Sequence, residues 1–369
     1  MIFPGFSKTS RVWCVLAAFV CCGLSVDVAS AQSNTAGQAT PKKTTTKKTI
    51  TRKSTTSRAS TSSTSRSRTR SRAAALARAV REAQEPRFRL DESGALVPDV
   101  RAEAAIIYDS ATGHVLWESN SQNQRSIASI TKVMTAVVFM EDSPNLSDEI
   151  VVQPTDVRAA STTYIRSGYR ITKGDLLHLT LIASDNAAAR ALARVSSLGS
   201  EAFIARMNSK AAELGLTNTS YADPSGLLSA NVSSAYDMAK LITYVSGDER
   251  IASVMRTPTY TVTAGRRVIN IHSTNQLVMN GDVDVQAGKT GFITKSGYCL
   301  ATLLRLPQGG PEVAVVVLGA KSNAGRFWET RHLFNWISTK TQDWFGQTSE
   351  TSPSQSTAQV PAAIPAAAN

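Results

Sequence analysis

Hydrophobic and polar positions divide this chain into a long patterned stretch between two unpatterned tails. Near residue 100, "AAIIYDSATGHVLWES" places apolar segments on either side of Asp109 to Gly113, which predicts an antiparallel hairpin. Towards the other end, "SGYCLATLLRL", the turn "PQGG" and "EVAVVVLGA" predict a second hairpin. Phe327, Trp328, Leu333, Phe334 and Ile337 then recur at helical spacing. Between these ends, "SITKVMTAVVFMED", "KGDLLHLTLIA", "NAAARALARVSS" and "EAFIARMNSKAAELG" read as helices, the last closed by Gly215. A further hairpin, "TYTVTAGRRVINIHS", turns at Gly265. The fold class expected is α/β: an antiparallel sheet built from both chain ends, with a helical region inserted between them.

The tails change the picture of where the protein acts. Lys8 and Arg11 precede an apolar run from Val12 to Val26, followed by the small-residue pattern Ala29-Ser30-Ala31. This predicts a signal peptide cleaved after Ala31 and export to the periplasm, because the run is shorter than the roughly 20 residues a bilayer core requires. Cys14, Cys21 and Cys22 would leave with it, so Cys299 alone remains and no internal disulfide is expected. From Gln32 to Arg72 the chain holds five Lys, six Arg and no acid among Ser and Thr, a composition expected to stay disordered. That tail and the leader account for the formal +12, leaving the rest neutral. An exported basic tail meets anionic envelope polymers or acts as a plain spacer, and nucleic acid is not an expected partner. The expected organisation is 1–31 signal peptide, 32–97 disordered basic segment, 98–344 catalytic domain and 345–369 disordered tail.

Candidate chemistry is sparse enough to sort. "AGKTG" resembles the lysine end of a phosphate-binding loop, but that loop needs a glycine where Val283 stands. The four histidines, His114, His178, His272 and His332, show no metal-ligand spacing, so neither a metal nor another cofactor is expected. One lysine alone has a serine three residues before it: Ser129-Ile130-Thr131-Lys132. Ile130, Val133, Met134, Val137 and Val138 set both on the first turns of a buried helix, with Ser126 a possible N-cap. A lysine in reach of a serine hydroxyl can take its proton if burial or a second cation lowers the amine's pKa. Ser-x-Asn occurs five times, and only Ser184-Asp185-Asn186 lies in a short turn between two helices. Lys289-Thr290-Gly291 sits on the strand "VDVQAGKTGF" and offers a cation that could depress Lys132, a hydroxyl for a carboxylate and close backbone approach.

Ser-x-x-Lys, Ser-x-Asn and Lys-Thr-Gly in this order are the set found in penicillin-binding proteins and class A β-lactamases. From about Val100 to Trp344, with "SIASITKVMTA", "IASDNAAARALA", "YADPSGL" and "AGKTGF", the chain resembles the D-alanyl-D-alanine carboxypeptidase family, peptidase S11. The resemblance implies a DD-peptidase/β-lactamase-like transpeptidase fold and a peptidoglycan peptide substrate, with β-lactams as acylating inhibitors. It implies Ser129 as nucleophile, Lys132 as base, Ser184 and Asn186 in the proton relay, and Lys289, Thr290, Gly291 and Phe292 as substrate-binding residues. The oxyanion would meet the amides of Ser129 and Phe292. "SIASITKVMTA", "STNQLV" and the short stretch after the last helix lean towards the endopeptidase branch. A class A β-lactamase needs Glu-x-x-Leu-Asn, and the nearest stretch, Glu213 to Thr217, ends in Thr and reads as a helix end.

Overall fold

The computed structural model describes residues 71–349 apart from 76, 79 and 83, with side chains through 341. The signal peptide, most of the basic segment and residues 350–369 lie outside the described residues, whereas 345–349, expected in the disordered tail, continue the last helix. Five strands form the central sheet: β1 (Ala104–Asp109), β2 (Val115–Ser119), β3 (Asp284–Ile293), β4 (Gly297–Arg305) and β5 (Glu312–Ala320). Their order is β3-β4-β5-β1-β2 and every pairing is antiparallel. Strands from the two ends of the patterned stretch therefore meet, with Val316 opposite Ile106 at the seam.

Alternation along these strands explains their apolar runs, because both faces are covered. Ala104, Ile106, Ala314, Val316 and Leu318 enter one buried cluster with the helical middle. Ala105, Ile107, Val313, Val315 and Val317 enter a second with Phe327, Leu333, Phe334 and Ile337 of the closing helix. The inserted helices are α1 (Thr131–Glu141), α2 (Lys173–Leu181), α3 (Asn186–Val195), α4 (Gly199–Glu213), α5 (Ala235–Ser246) and α6 (Glu249–Arg256), and α7 (Asn323–Ser349) closes the sheet. Periodicity assigns four of the inserted helices and leaves out α5 and α6, whose N-caps, Ser234 and Asp248, accept from Asp237 and Arg250 amides. Gly215, at φ 63°, follows α4 in the left-handed region expected of a helix stop.

Two expectations are corrected. Ser126 is not a helix cap: it lies in the two-residue strand Arg125–Ser126, paired with Val232–Ser233, and its hydroxyl has no hydrogen-bond partner. The chain enters α1 through a 3-10 turn, Ala128–Ile130, with Ala128 at φ 48°, which removes the geometry a cap needs. Regular structure also begins before residue 98. Phe88–Leu90 pairs with Leu96–Pro98, and Val97 packs into the cluster beneath α7 while Phe88, Leu90 and Leu96 stay exposed.

Candidate active site

The turn that carries Ser129 is wedged between two backbone segments. On one side Gly226, at φ 80°, lies so close that a Cβ would stand 2.1 Å from the Ala128 carbonyl oxygen. On the other, a Cβ on Gly291 would stand 2.5 Å from the Ile127 carbonyl oxygen. Glycine at both positions lets strand β3 and the loop after residue 223 press on the turn. Ala128 itself is held in a sparsely populated conformation, so the turn is over-determined by its neighbours.

Ser129, Ser184, Asn186, Thr290, Gly291 and Phe292 line one cleft of about 470 Å³. Lys132 and Lys289 lie beneath its floor, 0% and 1% exposed. The Lys132 amine is 2.9 Å from Ser129 Oγ, 2.7 Å from Asn186 Oδ1 and 2.5 Å from the Ser225 carbonyl. The Asn186 orientation is fixed, because its Nδ2 donates to the Ala160 carbonyl at 2.7 Å. A neutral amine has two N–H donors and one lone pair. Asn186 and Ser225 can only accept, so they take the two donors and leave the lone pair for the Ser129 hydroxyl. A protonated amine donates to all three, so proton uptake requires no rearrangement.

Burial is the largest influence on Lys132 and brings its pKa down to about 7; Asp185 and Asp223 oppose it and Arg190 adds to it. Lys289 lies well below its ordinary value, through burial first and repulsion from Lys132 second, and the repulsion between the two amines is mutual. The Lys289 amine donates to Ser184 Oγ at 2.9 Å and to the Thr290 carbonyl at 3.1 Å. Ser184 holds φ 59° and is not the cap of α3; Asp185 is, accepting from the Ala188 amide at 2.9 Å.

Several residues at the site carry no signal in composition or spacing. Asp223 accepts from the amides of Ser225, Gly226 and Leu228, which turns the Ser225 carbonyl towards Lys132. Thr274 Oγ1 lies 2.6 Å from Thr290 Oγ1 on the cleft wall. Arg326, 6% exposed on α7, donates to the Gly291 and Cys299 carbonyls and holds β3 in place. "YADPSGL" and "STNQLV", which contain Asp223 and Thr274, stand out only through the family resemblance. Glu213 ends α4 and pairs with Lys210 at 3.0 Å. His178 meets the Gly174 carbonyl and stacks on Tyr260. Among the described residues no group of three His, Cys, Asp or Glu is placed to hold a metal.

Comparison with known proteins shows the family and the fold. The family model described as D-alanyl-D-alanine carboxypeptidase, Peptidase S11, matches residues 91–322. A D-alanyl-D-alanine endopeptidase of Haemophilus influenzae is 34% identical over 227 residues, 61% of this chain and 78% of that protein. The D-alanyl-D-alanine carboxypeptidase DacC of Escherichia coli is 33% identical over 254 residues, 65% of this chain and 62% of that protein. Among solved structures, the Streptomyces K15 DD-transpeptidase superposes with a TM-score of 0.60 at 27% identity, over 65% of this chain and 97% of that one. With the family model matched over more than half its length, this chain belongs to the D-alanyl-D-alanine carboxypeptidase family, Peptidase S11.

Proposed function

We propose that this serine DD-peptidase cleaves peptidoglycan peptides through an ester on Ser129, acting as an endopeptidase on D-alanine crosslinks. The observation that carries the mechanism is the Lys132 amine, fully buried, with two obligate acceptors occupying its donors and its lone pair left for Ser129. Ser129 Oγ attacks the D-alanyl carbonyl carbon while its proton passes to Lys132 Nζ. The amides of Ser129 and Phe292 receive the oxyanion. Collapse breaks the C–N bond, and the leaving amine takes a proton from Lys132 by way of Ser184. Water then attacks the ester, giving a proton to Lys132, which passes it to Ser129 Oγ as the C–O bond breaks and the carboxylate product leaves.

Lys289 and Thr290 hold a carboxylate of the substrate. A carboxylate arriving beside the depressed Lys289 amine raises its pKa, so that binding and protonation of Lys289 reinforce one another. β-Lactams, which present a strained amide to the same serine, acylate Ser129. Preference for crosslinks is supported by two relatives named D-alanyl-D-alanine endopeptidase, 34% and 33% identical over 78% and 79% of their length. Glu213 is tied into a helix-end ion cluster, so it is not free to serve as a β-lactamase-type glutamate in deacylation.

The export signal and most of the basic segment lie outside the described residues. No helix among the described residues is long and apolar enough to cross a membrane. Export to the periplasm, with the basic segment resting on anionic envelope polymers, is the reading their composition supports.

Intact mass after reaction with a fluorescent penicillin, with Ser129→Ala beside it, followed by digestion of purified peptidoglycan, tests the reading. One long-lived adduct that is lost in the variant, with crosslinked dimers converted to monomers, is expected. Loss of terminal D-alanine alone would reassign the chain as a carboxypeptidase, and an adduct elsewhere would overturn the serine mechanism.

A further inference from the structure

Helix α3 carries Asn186 into the site, and one turn further along the same face stands Arg190. The two side chains grip alternate carbonyls of one passing segment. Arg190 Nη1 donates to the Arg158 carbonyl at 2.6 Å, and Asn186 Nδ2 donates to the Ala160 carbonyl at 2.7 Å. The Asn186 amide continues the series, donating to the Thr162 carbonyl at 3.1 Å. Asp185 closes it by accepting from the Tyr164 amide at 2.6 Å. The residues between the gripped carbonyls, Ala159 and Ser161, have φ 50° and 52°, which non-glycine residues rarely adopt. The strap is therefore held in a strained course by α3, and Ser161 and Thr162 from it form part of the cleft wall.

We propose that Arg190 is a positioning residue for the reaction: it pins the strap so that Asn186 presents its carbonyl oxygen to the Lys132 amine, and it sets an unneutralised cation close to that amine. This rests on the serine mechanism proposed above. The geometry supports both parts. Asn186 has one amide with two ends, and the Ala160 carbonyl decides which end faces Lys132. Arg158, two residues before Ala160, is where Arg190 fastens the strap. Arg190 forms no ion pair among the described residues, whereas its neighbour Arg194 is paired with Asp156 at 2.7 Å.

The charged groups facing Lys132 come from four places. Asp185 at the start of α3 and Asp223 from its loop favour the ammonium, while Arg190 favours the free amine. Lys289, on β3, repels the Lys132 ammonium across the site. Arg190 is thus a cation within the inserted helical region that offsets the carboxylates of buried Asp185 and half-buried Asp223, and its loss raises the pH at which Lys132 gives up its proton. A residue that only braced the fold would leave that pH unchanged.

The test is the rate of acylation by a fluorescent penicillin, followed against pH for the full chain and for R190Q, R190M and R190K. R190Q is expected to move the midpoint upward by roughly half a pH unit, the size of a partly screened charge effect, and to slow acylation below the midpoint about threefold. R190M, which keeps the aliphatic stem, is expected to do the same, and R190K to keep the wild-type midpoint. An unmoved midpoint in R190Q and R190M overturns the proposal, as does an R190K midpoint displaced as far as theirs. Failure of both uncharged variants to fold reduces Arg190 to a structural clamp and also overturns it. Absence of a Ser129 adduct in the unaltered protein would instead sink the serine mechanism itself, so the two failures are distinguishable.

Discussion

At the scale of single residues, the site is built so that a lysine can work as a base near neutral pH. Lys132 is fully enclosed, and the desolvation that lowers its pKa to about 7 costs the charged form and not the free amine. Only the free amine can accept the Ser129 proton. Acylation by penicillin is therefore expected to rise with pH through a midpoint near 7 and then level off, read from adduct formation in a pH series. A profile already flat from pH 5 would show that Lys132 is not the base. The serine and lysine were legible from their spacing alone, because three residues on a helix put side chains in contact. Their enclosure was not, since it depends on the Ser225 carbonyl and Asn186 arriving from remote segments.

At the scale of elements, the reactive turn is shaped by what presses on it. Gly226→Ala would drive a methyl group into the Ala128 carbonyl, which lies 2.1 Å from the Cβ position, at a backbone conformation unfavourable to alanine. Displacement of Ser129 by even about 1 Å is expected to slow acylation roughly 100-fold, measured against an unchanged helical circular dichroism spectrum. Asp185 has a different task. Its buried carboxylate caps α3 and holds the Tyr164 amide and Thr163 hydroxyl of the strap. Asp185→Ala is expected to cost about 3 kcal/mol in urea unfolding, combining a lost cap with orphaned donors. The helices α1 to α4 and the three hairpins could be read from periodicity. The 3-10 entry to α1 could not, because it arises from crowding by Gly226 and Gly291 and not from local preference.

At the scale of the whole molecule, the two ends of the patterned stretch are fastened together around the helical region. The seam is the pairing of β5 with β1, and it is reinforced by Glu329 of α7, whose two carboxylate oxygens accept from the Arg101 and Ala102 amides at 3.0 Å and 2.9 Å. Burial raises the pKa of this carboxyl. Glu329→Gln replaces one acceptor with a donor that faces another donor. A loss of about 1–3 kcal/mol in urea unfolding is expected, with the acylation midpoint unchanged because the seam is remote from Lys132. A shifted midpoint would show that the seam and the site are coupled. An antiparallel sheet assembled from both ends was legible, since each hairpin carries its own turn chemistry. That both faces of this sheet are covered, and by which helices, was settled only by packing.

The sequence by itself determined the chemistry on offer. Unique Ser-x-x-Lys and Lys-Thr-Gly motifs on predictable elements name a serine peptidase and the residues it would use. These are local properties, carried by spacing of a few residues and by turn types. Tertiary structure decided how far Lys132 is removed from water, and why Arg190, Asp185 and Asp223 bear on it. Those outcomes rest on contacts between segments far apart in the chain, where burial and long-range charge are fixed only once the helical region has closed against the sheet.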